Sequence, residues 1–151
     1  MTNSESAYWP SDATNRTLYD PENKVLFNGV MEFLQDYSNA YHLAIIGKGD
    51  EKRAALIDEL GIRGYFGYIN LIEEKEEKIF MDCIKGFKVN RSNIWSIGDR
   101  IKKEIAVSNR LGLNTIWFRN GKFAAELPET DSEKPLFIVN NFTEIKDIIP
   151  L

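Results

Sequence analysis

The chain has 151 residues, enough for one domain with a sizeable core. Lys and Arg total 19 against 23 Asp and Glu, a net charge of −4, which argues against nucleic acid and anionic membrane surfaces as partners. The single cysteine, Cys83, excludes an internal disulfide, and with no leader-like opening and no apolar run of membrane-spanning length the expectation is a soluble, cytoplasmic protein.

Residues 1–24 are polar, carry Pro10 and Pro21, and show no sustained period; they are expected to form an irregular N-terminal arm. An α/β core is expected over 25–151. Phe27-Asn28-Gly29-Val30 reads as a turn into a helix, with Val30, Phe33, Leu34 and Tyr37 at helical spacing. Tyr41 to Ile46 is a short apolar run, read as a buried parallel strand ended by Gly47-Lys48-Gly49-Asp50. Asp50 is placed to cap a helix that Gly61 stops. Tyr65 to Leu71 is a second strand, Glu74 to Gly86 a helix, Asn93 to Ile97 a third strand, and Ile101 to Leu111 a helix closed by Gly112. Asn114 to Phe118 and Leu136 to Val139 complete the strands, with a polar loop between them, and Phe142 to Ile149 reads as a terminal helix. Strands alternating with helices predict a three-layer, Rossmann-like sheet of mostly parallel strands with helices on both faces.

The most informative segment is Ile94-Trp95-Ser96-Ile97-Gly98-Asp99, followed by Glu104. An apolar strand ends abruptly in a tight turn, so Asp99 sits at its carboxyl end, where open α/β sheets bind ligands. Two carboxylates there suit Mg²⁺, a hard cation that takes oxygen ligands. The plain structural alternative is a Gly-Asp turn followed by a solvated helix face. Lys75 and Lys78 lie in the run Glu73 to Lys78, which also reads as a solvated helix stitched by ion pairs. Gly47, Lys48 and Gly49 read as a loop that could offer backbone amides to an anion, or simply as a loop before a capped helix. Arg100 is expected at the rim, and Trp95 and Trp117 in the core.

From about Val25 to Leu151 the chain resembles the core domain of the haloacid dehalogenase (HAD)-like hydrolases, in the part that follows their cap insertion. Leu26-Phe27-Asn28-Gly29-Val30 resembles a lead-in of the form L-[FY]-P-G-V, and Leu43 to Asp50 resembles the second family motif. Glu74-Lys75 resembles the third, which supplies a phosphate-binding lysine, with Lys78 as the competing assignment. Ile97-Gly98-Asp99-Arg100 with Glu104 resembles the fourth, which helps to hold Mg²⁺. The resemblance thus implies a Mg²⁺-dependent phosphohydrolase of small phosphorylated molecules.

Two departures stand against that. The family's first motif, a strand ending in Asp-x-Asp, has no counterpart: Asp12 and Asp20 follow no apolar strand. Gly47 stands where the family places a hydroxyl. A carboxylate nucleophile splits a difficult displacement into two easier steps, so its loss removes most of the rate. Two classes therefore stay open: a HAD-like hydrolase, and a non-catalytic or shortened relative that keeps metal or anion binding only. Without its usual first strand the sheet would carry a central gap. Three repairs are open: a strand from the arm, for which Glu5 to Trp9 and Arg16 to Tyr19 are poor candidates; direct pairing of the neighbouring strands, which is the one expected; and next a strand from a dimer or heteromeric partner.

Overall fold

The computed structural model of the chain describes residues 6–9, 17–72 and 77–151. Its strands are β1 (Ser6–Trp9), β2 (Tyr19–Asp20), β3 (Val25–Leu26), β4 (His42–Lys48), β5 (Tyr68–Ile72), β6 (Ile94–Gly98), β7 (Asn114–Phe118) and β8 (Phe137–Val139). Its α-helices are α1 (Val30–Tyr37), α2 (Glu51–Glu59), α3 (Glu77–Phe87) and α4 (Ala106–Arg110). Six strands form one sheet in the order β5-β4-β1-β6-β7-β8, with every neighbouring pair parallel. β2 and β3 form a separate antiparallel hairpin.

The expected central gap is filled by the chain itself. β1 pairs on one side with β4, Ser6 opposite His42 through Trp9 opposite Ile45. On the other side it pairs with β6, Ser6 opposite Ile94 through Tyr8 opposite Ser96. The expectations of a sheet lacking its first strand and of direct pairing between the neighbours are both corrected. Four residues suffice because a central strand has its N–H and C=O groups satisfied from two sides, whatever its own propensity.

Alternation along β4 shows how the layers are built. Leu43 and Ile45 face one core with α1, Ile57 of α2 and the C-terminal segment, whereas Ala44 and Ile46 face another with Phe80, Cys83 and Ile84 of α3. α1 buries the four residues its period singled out, Val30, Phe33, Leu34 and Tyr37. Phe33 stacks on Tyr37 at 4.3 Å, and Phe142 meets Phe33 and Phe118 edge-on. The Tyr37 hydroxyl donates to the Ile149 carbonyl at 2.6 Å, and Tyr41 donates to that of Pro150, which closes the C-terminal segment over α1.

Three further expectations shift. Phe142–Asp147 is a 3₁₀ segment rather than an α-helix, and Asn141 caps it. Ile101–Ile105 is a single π-helical turn leading into α4. Among the described residues α3 begins at Glu77.

Cys83 is buried, and burial alone pushes its thiol up to about 12 from an ordinary 9.0. The native state therefore holds the thiol proton more tightly than the unfolded chain, so Cys83 contributes its full share of stability below pH 9.0. That share is lost as pH rises from there towards about 12. Urea titrations of the wild type and Cys83→Ala across this range should converge as pH rises, and an aromatic disulfide reagent should label Cys83 only on unfolding.

Candidate functional site

The sheet order reverses between β1 and β6. From β1 the chain moves outward through β4 to β5, then crosses to β6 and moves the other way through β7 to β8. In doubly wound sheets such a switch point opens a crevice beyond the carboxyl ends of the two strands. Asp99 immediately follows β6 at that crevice, and residues 10–16 immediately follow β1. Asp12 lies in the latter segment, outside the described residues, but the reading that no strand precedes it is corrected by β1.

The Asp99 turn is fixed from several directions. Asp99 is wholly buried, and its backbone carbonyl accepts from the Trp117 indole N–H at 2.9 Å. The next amide, that of Arg100, donates to Glu104 Oε2 at 3.1 Å. Glu104 is itself buried and lies close against the strand end: a Cβ on Gly98 would meet Glu104 Cβ at 3.0 Å. Gly98 is thus needed for close approach. The π turn supplies the reach, since the Ile105 amide bonds the Arg100 carbonyl at 3.3 Å and the extra residue swings Glu104 back over the turn.

Arg100 is partly exposed, as a rim position implies, but its head group is engaged. Its guanidinium packs 3.9 Å from the centroid of the Phe123 ring and donates to Glu126 Oε2 at 3.3 Å. The Glu126 side chain is only 11% exposed, so this is a largely desolvated ion pair. Beyond it, Lys102 pairs with Glu129 at 2.8 Å; the hydrogen bond to Glu129 holds the Lys102 ammonium above its ordinary range and that to Lys102 holds Glu129 below its own.

The remaining predicted residues spread along the same edge. Gly47 is buried within β4 opposite Leu71, and Lys48 ends the strand opposite Ile72. The Arg53 stem covers Gly49, where a Cβ would meet Arg53 Cβ at 2.7 Å. Asp50 caps α2 by accepting from the amides of Lys52 at 3.0 Å and Arg53 at 3.4 Å, so a side-chain carboxylate already engages that helix N-terminus. Lys75 lies outside the described residues. It falls in the segment that joins the end of β5 to α3. Lys78 is exposed on α3. A small cavity of about 40 Å³ lined by Phe80, Lys103, Glu104 and Val107 brings the first turns of α3 alongside Glu104. A larger one, about 270 Å³, opens between the hairpin at Asp20-Pro21-Glu22 and Asn120-Gly121-Lys122, beyond the carboxyl end of β7.

Sequence reasoning missed two contributors. Trp117 was expected simply in the core, and it is buried there, yet its indole also holds the Asp99 carbonyl. Glu126 carried no signal, because nothing local marks a carboxylate in a polar loop as the partner of an arginine 26 residues away.

Residues 74–145 match the HAD-hydrolase-like family model. That segment is just under half of the chain, and over it the chain is similar to the HAD-like hydrolases, whose fold it shares. Glyceraldehyde 3-phosphate phosphatase of Methanopyrus kandleri is 28% identical over 95 residues, covering 60% of this chain and 41% of that protein. The chain thus spans well under half the length of that relative. An uncharacterized protein from Listeria monocytogenes serotype 4b superposes with a TM-score of 0.74 at 15% identity, over 94% of this chain and 95% of the other. YfnB of Bacillus subtilis, described as a HAD-hydrolase bound to magnesium, gives 0.70 at 16% identity, over 83% of this chain and 57% of its own.

The donor set of this HAD-like core fits a hard cation. Mg²⁺ is held through one or two carboxylates, with waters and substrate phosphate completing its shell. Asp99 offers such a carboxylate at the crevice. Glu104 has one oxygen engaged by the Arg100 amide and serves first as a backbone clamp. Among the described residues no group of three or more His, Cys, Asp or Glu forms a complete cage.

Trp117→Phe keeps the ring in place and removes the donor to Asp99. The buried carbonyl would then lack that partner, a loss of about 1–3 kcal/mol. Urea unfolding of the variant should show a decrease of this size with an unchanged slope.

Proposed function

We propose that this chain is a HAD-type phosphohydrolase acting on a small phosphorylated compound at the carboxyl edge between β1 and β6. The observation that carries the reading is the placement of β1, whose carboxyl end lies beside that of β6, the strand that Asp99 follows. Asp12 is the only carboxylate among residues 10–16, which follow β1 in sequence. The phosphatase relative and the magnesium-bound neighbour support the substrate class and the metal.

In this reading Asp99 would hold Mg²⁺, with Glu104 orienting the turn that presents it. When bound, the ion would neutralise charge on the phosphoryl oxygens, the main demand of phosphoryl transfer. Lys75, or Lys78 one turn further on, brings a cation to the same group. Asp12 moves the proton: it takes one from the attacking water and returns one to the leaving oxygen as the ester P–O bond breaks, so that water and a monoester give an alcohol and inorganic phosphate.

The second reading, a binding module without turnover, is favoured by two residues. Pro10 is the first residue after β1, where the family's motif begins with Asp, and Gly47 carries no hydroxyl.

Mg²⁺-dependent hydrolysis of an aryl phosphate separates the two. Turnover by the wild type should fall at least about 100-fold in Asp99→Asn and in Asp12→Asn, the range expected for loss of a general acid-base group. A folded wild type without turnover, but with saturable Mg²⁺ and phosphate binding, would overturn the hydrolase in favour of the binding module. Activity that survived Asp99→Asn and needed no metal would sink both.

A further inference from the structure

The Arg100 side chain lies between the turn that carries Asp99 and the segment 120–126. Its backbone amide is held by Glu104, and the carbonyl on the other side of that peptide, Asp99's own, is held by Trp117. The guanidinium reaches the opposite way, over the Phe123 ring and onto Glu126. The receiving segment is a hydrogen-bonded unit: the Ala124 amide bonds the Gly121 carbonyl at 3.2 Å and the Glu126 amide bonds that of Phe123 at 3.1 Å. Asn120, Gly121 and Lys122 of the same segment form one wall of the 270 Å³ cavity beneath the hairpin.

We propose that Arg100 is a positioning residue that locks Asp99 to the wall of this cavity, so that the metal-binding carboxylate and the floor on which a ligand would rest move as one body. The chemistry favours arginine for this task. A planar guanidinium can stack on an aromatic face and bond a carboxylate in the plane at the same time, which an ammonium cannot. Outer-shell groups of this kind set the orientation of the ligand they support, and their removal typically costs about 10–100-fold in metal affinity. The metal part of the proposal rests on the Mg²⁺ site of the proposed function; the positional part, that Arg100 fixes the Asp99 carbonyl against Trp117, stands on the contacts alone.

The test titrates Mg²⁺ alone into the wild type, Arg100→Met, Arg100→Lys and Glu126→Gln by calorimetry, and follows the Trp117 indole N–H by NMR. Arg100→Met should bind Mg²⁺ about 10–100-fold more weakly and shift or broaden the indole resonance, with Arg100→Lys recovering only part of the affinity. Glu126→Gln should weaken binding in the same direction, and the double variant with Arg100→Met should add little. A merely structural role would lower the unfolding midpoint of these variants and leave the Mg²⁺ affinity of the folded protein unchanged, which would overturn the proposal. Should Arg100→Met not fold, Glu126→Gln decides, and wild-type affinity in that variant overturns it. A wild type that binds no Mg²⁺ would refute the metal site and the metal part of the proposal. The indole signal in Arg100→Met would then decide the positional part: a shifted resonance supports it and an unmoved one overturns it.

Discussion

The constraint on which the rest depends is the need of a mid-sheet strand to be hydrogen-bonded on both sides. Ser6–Trp9 meets it with four residues, pairing with β4 and β6 at once. Each unmet backbone group at that position would cost as much as a lost hydrogen bond. Because β1 is in place, the sheet has its order reversal between β1 and β6, and the reversal opens the crevice. The site follows from the pairing, and backbone pairing is made by N–H and C=O groups that every residue but proline carries alike.

That independence explains what could be read in advance and what could not. α1 was legible because its burial repeats the period of Val30, Phe33, Leu34 and Tyr37. α2 was legible at both ends, from the Asp50 cap and from Gly61 at a φ of 70°. β7 stands at Asn114–Phe118 as its apolar run implied. β1 was not legible, because Ser-Ala-Tyr-Trp before a proline is a poor local strand and its stability comes from strands more than thirty residues away in sequence, such as β4 at His42–Lys48. The π turn at Ile101–Ile105 was hidden for a related reason: its sequence suits an α-helix, and the bulge goes together with the contact of Glu104 to the Arg100 amide at the strand end.

The site shows the same division. Asp99 was visible because an apolar strand stopped at Gly-Asp. The roles of its supports were not, since Trp117 lies 18 residues beyond Asp99 and Glu126 lies 26 beyond Arg100. Local pattern marks where a strand ends and which residue is presented there. It does not mark which distant donors hold that residue, because those contacts are set by strand order, β7 beside β6 and the 120–126 segment beyond it.

The supports also bear on whether such a scaffold would outlive its chemistry. Gly98, Glu104 and Trp117 each satisfy or make room for backbone at the end of β6, so folding alone gives a reason for their presence. Asp99 differs. A fully buried carboxylate is costly unless positive charge or strong donors offset it, and its backbone role would be served equally by an uncharged residue. The fold accommodates this carboxylate through the interactions it makes there, and under the proposed function a lysine or a cation would add positive charge at the same edge of the sheet. Pro10 and Gly47 weaken the case for the family's usual nucleophile and hydroxyl. They do not remove the electrostatic reason for a carboxylate at Asp99, and that reason is shared by the hydrolase and by a module that only binds.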